Sequence, residues 1–294
     1  MPEPVQHVSD TAFWVAWHRA QEGKRPDALF LDPLAEKLAG ERGRKIASHM
    51  GIPRAMAWSM ALRTHIIDGL IRDAVKDGAD MILNLGAGLD TRPYRLDLPP
   101  ELQWVEVDFA PMIAYKDEAL ADEKPVCRLR RLVCDLGDGV ARRDMLAALN
   151  TQGRRVVVLT EGVVPYLSND QVAGLARDLA AQPHIAAWLS DYFGPLFHTL
   201  SARGKVMQRL AANAPFRFDP GDGPEDWSRF FADKGWQIDE MVYLGEEGRR
   251  LGRDLPAHPL IRLMMRFAPE TRLRPYRRMN GFVRFTRGDR VRAI

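Results

Sequence analysis

Three carboxylates and a pair of glycines recur through the middle of this chain at a spacing that could set them on one edge of a parallel sheet. The run Leu83 to Leu96 reads LNLGAGLDTRPYRL. Its apolar lead-in, Met81–Leu85, feeds a turn with Gly86 and Gly88 one residue apart, a pattern that lets backbone pass close to a ligand in nucleotide-binding folds. In a dinucleotide fingerprint a third glycine would press a helix onto its strand and aim its N-terminus at pyrophosphate. Thr91 stands there instead, followed by Arg92 and Pro93, so the turn suits a nucleoside with a small polar tail better than a pyrophosphate. Asp108 lies 20 residues past Gly88, Asp135 a further 27 and Glu161 a further 26, one strand and helix each time. An acid about twenty residues beyond the glycines can accept from both ribose hydroxyls. One at the end of the next strand can accept from the exocyclic amine of an adenine, with Leu136 beside it covering the ring. Three acids with no phosphate-holding lysine repel a polyphosphate and attract a ligand that carries a sulfonium and an ammonium. Taken singly, each acid reads equally well as a helix N-cap or first-turn residue favoured by the helix dipole. The three in one register favour a binding site.

Such an edge needs a sheet to carry it. The first eighty residues read as helical, in DTAFWVAWHRA, DPLAEKLAGERGRKIA and PRAMAWSMALRTHIIDGLIRDAV, whose apolar residues recur at three and four. From Asp80 the period changes. Strands are expected at 81–85, 102–107, 129–134, 155–160 and 185–190, each followed by a turn or helix, the alternation of an α/β fold with a parallel sheet and helices on both faces. Ser168 and Gln171 fit a capping box ahead of VAGLARDLAAQ. Past Asp191 a helical insertion with aromatics at both ends, too long for a routine connection, could form a lid. WQIDEMVYL and GFVRFTR then look like two closing strands around a Pro- and Arg-rich excursion. One domain over 1–294 is expected: an N-terminal helical cap (1–79), a core (80–191), a helical lid insertion after strand five (192–235), and closing strands (236–294).

The bulk numbers narrow the field. At 294 residues, 46% hydrophobic and 28% charged, the chain can bury a substantial core and is not a disordered one. A formal charge of +3, with basic residues interleaved among 39 acids, gives no support to a nucleic-acid-binding surface; the clusters 128–131 and 272–278 read as solvated faces. Cys127 and Cys134 flank a strand, and at about 3.3 Å per residue they stand too far apart to bridge along it, so reduced thiols are expected. No segment approaches the roughly 20 apolar residues of a membrane span, and MPEPVQHVSD lacks a basic start followed by an apolar stretch. A cytoplasmic protein is expected. The seven histidines show no ligand spacing, His184 and His198 being remote and no H-x-x-x-H occurring, which predicts a metal-free site.

The run LNLGAGLDTRPYRL, followed by WVEVDFAPMIAYK, VCDLGD and LTEGVVPYLS, closely resembles the leucine carboxyl methyltransferase-like family of S-adenosylmethionine-dependent O-methyltransferases, which includes protein C-terminal carboxyl methyltransferases and bacterial polyketide-type enzymes. Upstream, FLDPLA and RTHIID resemble the family's N-terminal segments. The likeness runs in order from about Asp10 to Glu161 and more loosely to the end. It implies a class I methyltransferase, Rossmann-like, with a seven-stranded mostly parallel sheet, and S-adenosyl-L-methionine as cofactor with S-adenosyl-L-homocysteine as product. It also implies roles. Arg63 of RTHIID would hold the methionine carboxylate with its guanidinium fork, and Gly86, Ala87 and Gly88 would bring backbone close to it. Asp108 would take the ribose hydroxyls, Asp135 and Leu136 the adenine, and Glu161 would lie by the ammonium or the sulfonium. Asp90 and Arg92 are expected to shape the turn by pairing in the neighbourhood of Asp108. Arg19 or Lys24 could cover the cofactor from outside.

Methyl transfer from a sulfonium is an in-line displacement whose main demands are alignment and exclusion of water. A carboxylate acceptor is already an anion and needs no base. A phenol or alcohol acceptor needs one, for which Tyr192 and His198 are the candidates. Tyr166 and Pro165 could line the acceptor site, and Trp14, Trp17, Phe193 and Phe197 would suit an apolar pocket, although each is equally placed to hold helices on the core. Arg203, Arg209 and Arg217 could meet an anionic acceptor or serve only as solvated arginines. The reading is therefore O-methylation of a small molecule, most readily at a carboxylate, without nucleic-acid or membrane partners. Its rivals are methylation of a protein C-terminus, a hydroxyl or phenol acceptor, a non-catalytic cofactor-binding scaffold, and an NAD-dependent oxidoreductase, against which the missing third glycine counts.

Overall fold

Runs such as Val156-Val157-Val158-Leu159 and Met81-Ile82-Leu83 are apolar at every position, the pattern of strands covered on both faces, and every residue of β1 (Met81–Leu85) and β4 (Val156–Thr160) is buried. The computed structural model describes residues 10–50, 54–150, 152–201, 208, 214–221, 224–256, 264–265 and 267–288. The remaining strands are β2 (Gln103–Asp108), β3 (Arg128–Val133), β5 (Ile185–Phe193), β6 (Trp236–Tyr243) and β7 (Asn280–Arg287). All seven form one sheet in the order β3-β2-β1-β4-β5-β7-β6. β1 pairs in parallel with both β2 and β4, β2 with β3, and β4 with β5. The strand order therefore reverses direction between β1 and β4, and ligands of open α/β sheets bind beyond the carboxyl ends of strands at such a switch point.

Among the described residues the helices are α1 (Asp10–Glu22), α2 (Pro33–Met50), α3 (Arg54–Lys76), α4 (Arg92–Arg95), α5 (Ala110–Ala119), α6 (Gly139–Asn150), α7 (Asn169–Ala180), α8 (Pro195–Ser201), α9 (Pro224–Ala232), α10 (Leu244–Arg250) and α11 (Glu270–Arg277). None is long and apolar enough to cross a membrane. α7 begins with the expected capping box: the Gln171 N–H donates to Ser168 Oγ at 3.3 Å, and the Ser168 N–H donates to Gln171 Oε1 at 2.9 Å.

The chain divides into two units. A sheet unit comprises Asp68–Asp191, Ala214–Glu240 and Val283–Ile294. At its heart Trp188 meets Phe231, Trp236 and Phe285 with ring centroids 5.4, 5.6 and 5.5 Å away. The indole nitrogens are satisfied there: Trp188 donates to Thr160 Oγ1 and Trp236 to the Ala176 carbonyl, both at 2.9 Å. Phe231 lies on α9, so the part of the expected lid from residue 214 onward packs into this core. Both cysteines are buried and unbridged.

A helical unit comprises Met1–Ile67, Tyr192–Asn213 and Met241–Phe282. α1 and α2 approach closely at Gly43, where a Cβ would come within 2.6 Å of the Phe13 carbonyl oxygen. Arg42 of α2 pairs with buried Asp10 and lies 4.6 Å over the Phe13 ring. Arg19 donates to Asp32 at 2.8 Å, and Asp32 also accepts from the Ala35 N–H at the start of α2. Glu22 accepts from Arg253 at 3.0 Å. Arg19 is thus buried in an ion pair, and Lys24 pairs with Glu36 at the surface.

Candidate active site

The strand registers bring the expected acids level. Leu85 stands opposite Val107, Asp108 opposite Val133, and Asn84 opposite Leu159, so Gly86, Asp108 and Glu161 leave the sheet within a residue of one another and Asp135 two residues beyond. The turn is tied to β2 by its own backbone: the N–H groups of Gly86 and Ala87 both donate to the Val107 carbonyl, at 2.8 and 3.1 Å. Gly86 and Gly88 have φ of 69° and 48°, where a side chain is strained, and a Cβ on Gly86 would collide with Val163 Cγ2.

Asp108 closes this turn. Its Oδ2 accepts from the Gly88 N–H at 2.6 Å and its Oδ1 from the Phe109 N–H at 2.7 Å. Burial pushes this carboxyl above its ordinary value, while the two backbone donors and Lys116 pull the other way. Each oxygen keeps a further lone pair for a ligand hydroxyl. Asp108 is no helix cap, since α5 begins after Phe109. Asp135 is exposed and accepts from the Gly137 N–H at 2.8 Å. Leu136 beside it is buried, its carbonyl held by Arg142 at 2.5 Å.

Glu161 belongs to a buried charge cluster centred on Arg92, which is 2% exposed. Arg92 Nη1 donates to Glu161 at 2.7 Å and to Asp90 at 2.8 Å, and its Nε donates to Asp68 at 2.7 Å. Burial works against the guanidinium charge, and Asp90, Glu161 and Asp68 more than restore it. Arg95 also binds Asp68, at 2.6 and 2.8 Å. Asn84 donates to Asp90 at 2.8 Å. Arg92 and Asp90 therefore do brace the glycine turn, but Arg92 reaches toward Glu161 and Asp68 and not toward Asp108. Among the described residues Asn84 Oδ1 and Arg92 Nη2 remain buried with no hydrogen-bond partner, an acceptor and a donor within the cluster that a bound molecule could use.

Sequence reasoning passed over three acids. Glu106 on β2 is fully buried between Lys116 and Arg131, each at 2.8 Å. Asp191 accepts from the Gly162 N–H at 2.6 Å and so fixes the turn after Glu161. Asp68 had a signal, since it closes RTHIID. The other two lie inside strand runs whose pattern gave none.

Among the acceptor candidates, Tyr166 lies in a single 3-10 turn, Val164–Tyr166, edge-on to Phe216 at 5.3 Å, and the Pro165 carbonyl accepts from the Arg217 N–H at 2.7 Å. These belong to the sheet unit. Arg63, half-buried on α3, belongs to the helical unit, as do Tyr192, Phe193, Phe197 and His198. Tyr192 and Phe193 are the last residues of β5 and not part of the insertion, because the strand runs three residues past its expected end. Burial pushes the Tyr192 phenol up. Phe193 and Phe197 meet at a tilt of 41° with ring centroids 4.5 Å apart, and His198 is edge-on to Phe197 at 6.1 Å. Arg203 and Arg209 lie outside the described residues.

Comparison with known proteins matches residues 12–180 to the leucine carboxyl methyltransferase family. A Frankia alni protein named as an S-adenosyl-L-methionine-dependent methyltransferase is 32% identical over 263 residues, covering 83% of this chain and 87% of its own. A Streptomyces avermitilis protein of the same description is 30% identical over 270 residues, covering 85% and 89%. Among solved structures, a DUF574 family protein from Streptomyces avermitilis superposes with a TM-score of 0.59 at 16% identity over 94% of this chain and 97% of its own. Its fold is thus similar. With the glycine turn, the level strand ends and a family match over more than half its length, the chain belongs to the leucine carboxyl methyltransferase family of S-adenosylmethionine-dependent methyltransferases.

Proposed function

We propose that this methyltransferase acts on oxygen, transferring the methyl group to a carboxylate of a small molecule. The observation that carries the reading is the hydrogen bond from the Gly88 N–H to Asp108, which fixes a carboxylate against the glycine turn at the sheet's switch point. S-adenosylmethionine, when bound, supplies a methyl group activated by a sulfonium. The chain's part is to bind and align. Asp108 accepts the ribose hydroxyls with its remaining lone pairs, Asp135 and Leu136 hold the adenine, and Gly86, Ala87 and Gly88 offer backbone. Glu161, paired with Arg92, faces the positive charge of the methionine end, and Arg63 takes its carboxylate. Tyr166, Phe193, Phe197 and Arg203 are assigned to the acceptor.

The family's description as carboxyl methyltransferases supports a carboxylate acceptor, and so does Tyr192. Its phenol, raised by burial, stays protonated at neutral pH and is a poor base, which a phenol or alcohol acceptor would need. A carboxylate acceptor leaves no proton to remove.

The test has two arms. Asp108→Ala should weaken binding of S-adenosylhomocysteine by about 1–3 kcal/mol, the worth of a charged hydrogen-bond acceptor, with the circular dichroism unchanged. In the native protein, affinity should fall as the pH drops through the raised Asp108 pKa, because a protonated carboxyl accepts fewer hydroxyls. Unchanged affinity in a folded variant removes Asp108 from the ribose. In the second arm, purified protein and S-adenosylmethionine are incubated with panels of small carboxylic acids, phenols and peptides with free C-termini. Methyl esters of small acids are expected by mass spectrometry, and methylation confined to phenols or peptides overturns the acceptor class.

A further inference from the structure

Four side-chain nitrogens on α1 are shut off from solvent and have no hydrogen-bond partner among the described residues: Trp14 Nε1, Trp17 Nε1, His18 Nε2 and Gln21 Nε2. At 3.6 residues per turn these positions fall within an arc of about 100°, so they form one row along one face. The same helix satisfies its other buried polar groups, Asp10 with Arg42, Arg19 with Asp32 and Glu22 with Arg253. No other element carries such a row among the described residues. Trp14 and His18 are each 3% exposed and meet edge-to-face at 5.1 Å.

Burial without a partner is unfavourable for each polar nitrogen, and four in succession along one face amount to an incomplete site. An indole nitrogen can only donate, as can the nitrogen of an amide. Burial lowers the His18 pKa to about 4, so the row carries no charge at neutral pH and would read a ligand through hydrogen bonds to oxygen. The flanking indole and imidazole rings suit a flat apolar body.

We propose that this face of α1 binds an oxygen-substituted aromatic compound, with Trp14, Trp17, His18 and Gln21 meeting its carbonyl, carboxyl or hydroxyl oxygens. The row lies wholly in the helical unit, and binding is measured without S-adenosylmethionine, so its failure is distinct from failure of the methyltransferase reading. The probes are salicylate, salicylamide and, as a counter-probe, benzylamine. They are titrated into the full chain labelled with 15N-indole, the cross-peaks being assigned with Trp14→Phe and Trp17→Phe.

The indole N–H signals of Trp14 and Trp17 should shift saturably with salicylate or salicylamide and not with benzylamine. Trp17→Phe and Gln21→Leu, each of which removes the nitrogen and leaves an apolar side chain, should each raise the dissociation constant about fivefold, as loss of one hydrogen bond does. No shift with either oxygen-bearing probe, an equal shift with benzylamine, or an unchanged constant in folded variants overturns the proposal. Should a variant fail to fold, the titration of the native chain decides alone.

Discussion

The sheet unit and the first helix of the helical unit differ in the polar groups they bury without partners. Around the glycine turn, charge meets charge: Arg92 lies among Asp68, Asp90 and Glu161, and Glu106 lies between Lys116 and Arg131. On α1 a row of uncharged nitrogens finds no hydrogen-bond partner among the described residues. Taking charges out of water is recouped only when partners are held in good geometry, so the paired cluster sets the turn, Glu161 and Asp68 in place ahead of any ligand. Uncharged donors are cheaper to leave open. The two kinds of polar group thus leave the turn braced by ion pairs and the α1 face with open hydrogen-bonding capacity.

The sharpest way to break this contrast is Arg92→Met, which leaves three carboxylates facing one another in the interior. Removing one partner of a buried ion pair costs about 3–5 kcal/mol, and urea denaturation should show a loss of that size. A loss below about 1 kcal/mol, the range of an exposed pair, would mean the cluster is not what braces the turn. Next in size is a pH effect on the helical unit. The folded His18 pKa of about 4 lies below its ordinary 6.5, so the unfolded chain binds more protons between those values. Stability present above pH 6.5 should be lost as the pH falls toward 4, by on the order of 3 kcal/mol. The difference between native and His18→Phe denaturation curves isolates this contribution; parallel curves across that window would show that His18 is not buried neutral. Smallest is Gln21→Leu. Because no hydrogen bond of the amide nitrogen is lost, stability should hold or rise by up to about 1 kcal/mol, whereas a drop of about 2 kcal/mol or more, typical of a broken buried bond, would show that the nitrogen has a partner after all.

Much of the sheet is legible in the amino-acid sequence, because strands buried on both faces announce themselves as unbroken apolar runs. The strand over 81–85 matches its expected bounds, and the capping box at Ser168 marks its helix correctly. The end of β5 falls beyond its expected place because Asp191 interrupts the apolar run while the chain stays extended to Phe193. The position of β7 between β5 and β6 depends on pairing between distant segments, which no local pattern encodes. The site divides in the same way. Gly86, Gly88 and Asp108 are tied by a fixed spacing along one strand–helix unit and are visible in it. Glu106 is not, since its partner Arg131 is recognisable only from the register that sets the two opposite each other. The direction in which Arg92 reaches is equally hidden: its partners lie 2, 24 and 69 residues away, and only the last two reveal that the turn is braced from α3 and from the residue that follows β4.

The two units are not successive stretches of sequence. The chain passes between them at 67/68, 191/192, 213/214, 240/241 and 282/283, and four of these passages fall inside α3, β5, β6 and β7. No single cut in the gene therefore releases either unit whole. A fragment library, a domain swap with a relative or a two-hybrid bait ending anywhere between residues 68 and 282 carries incomplete pieces of both. Recombination among relatives is then expected to exchange side chains within this framework far more readily than to exchange the units themselves.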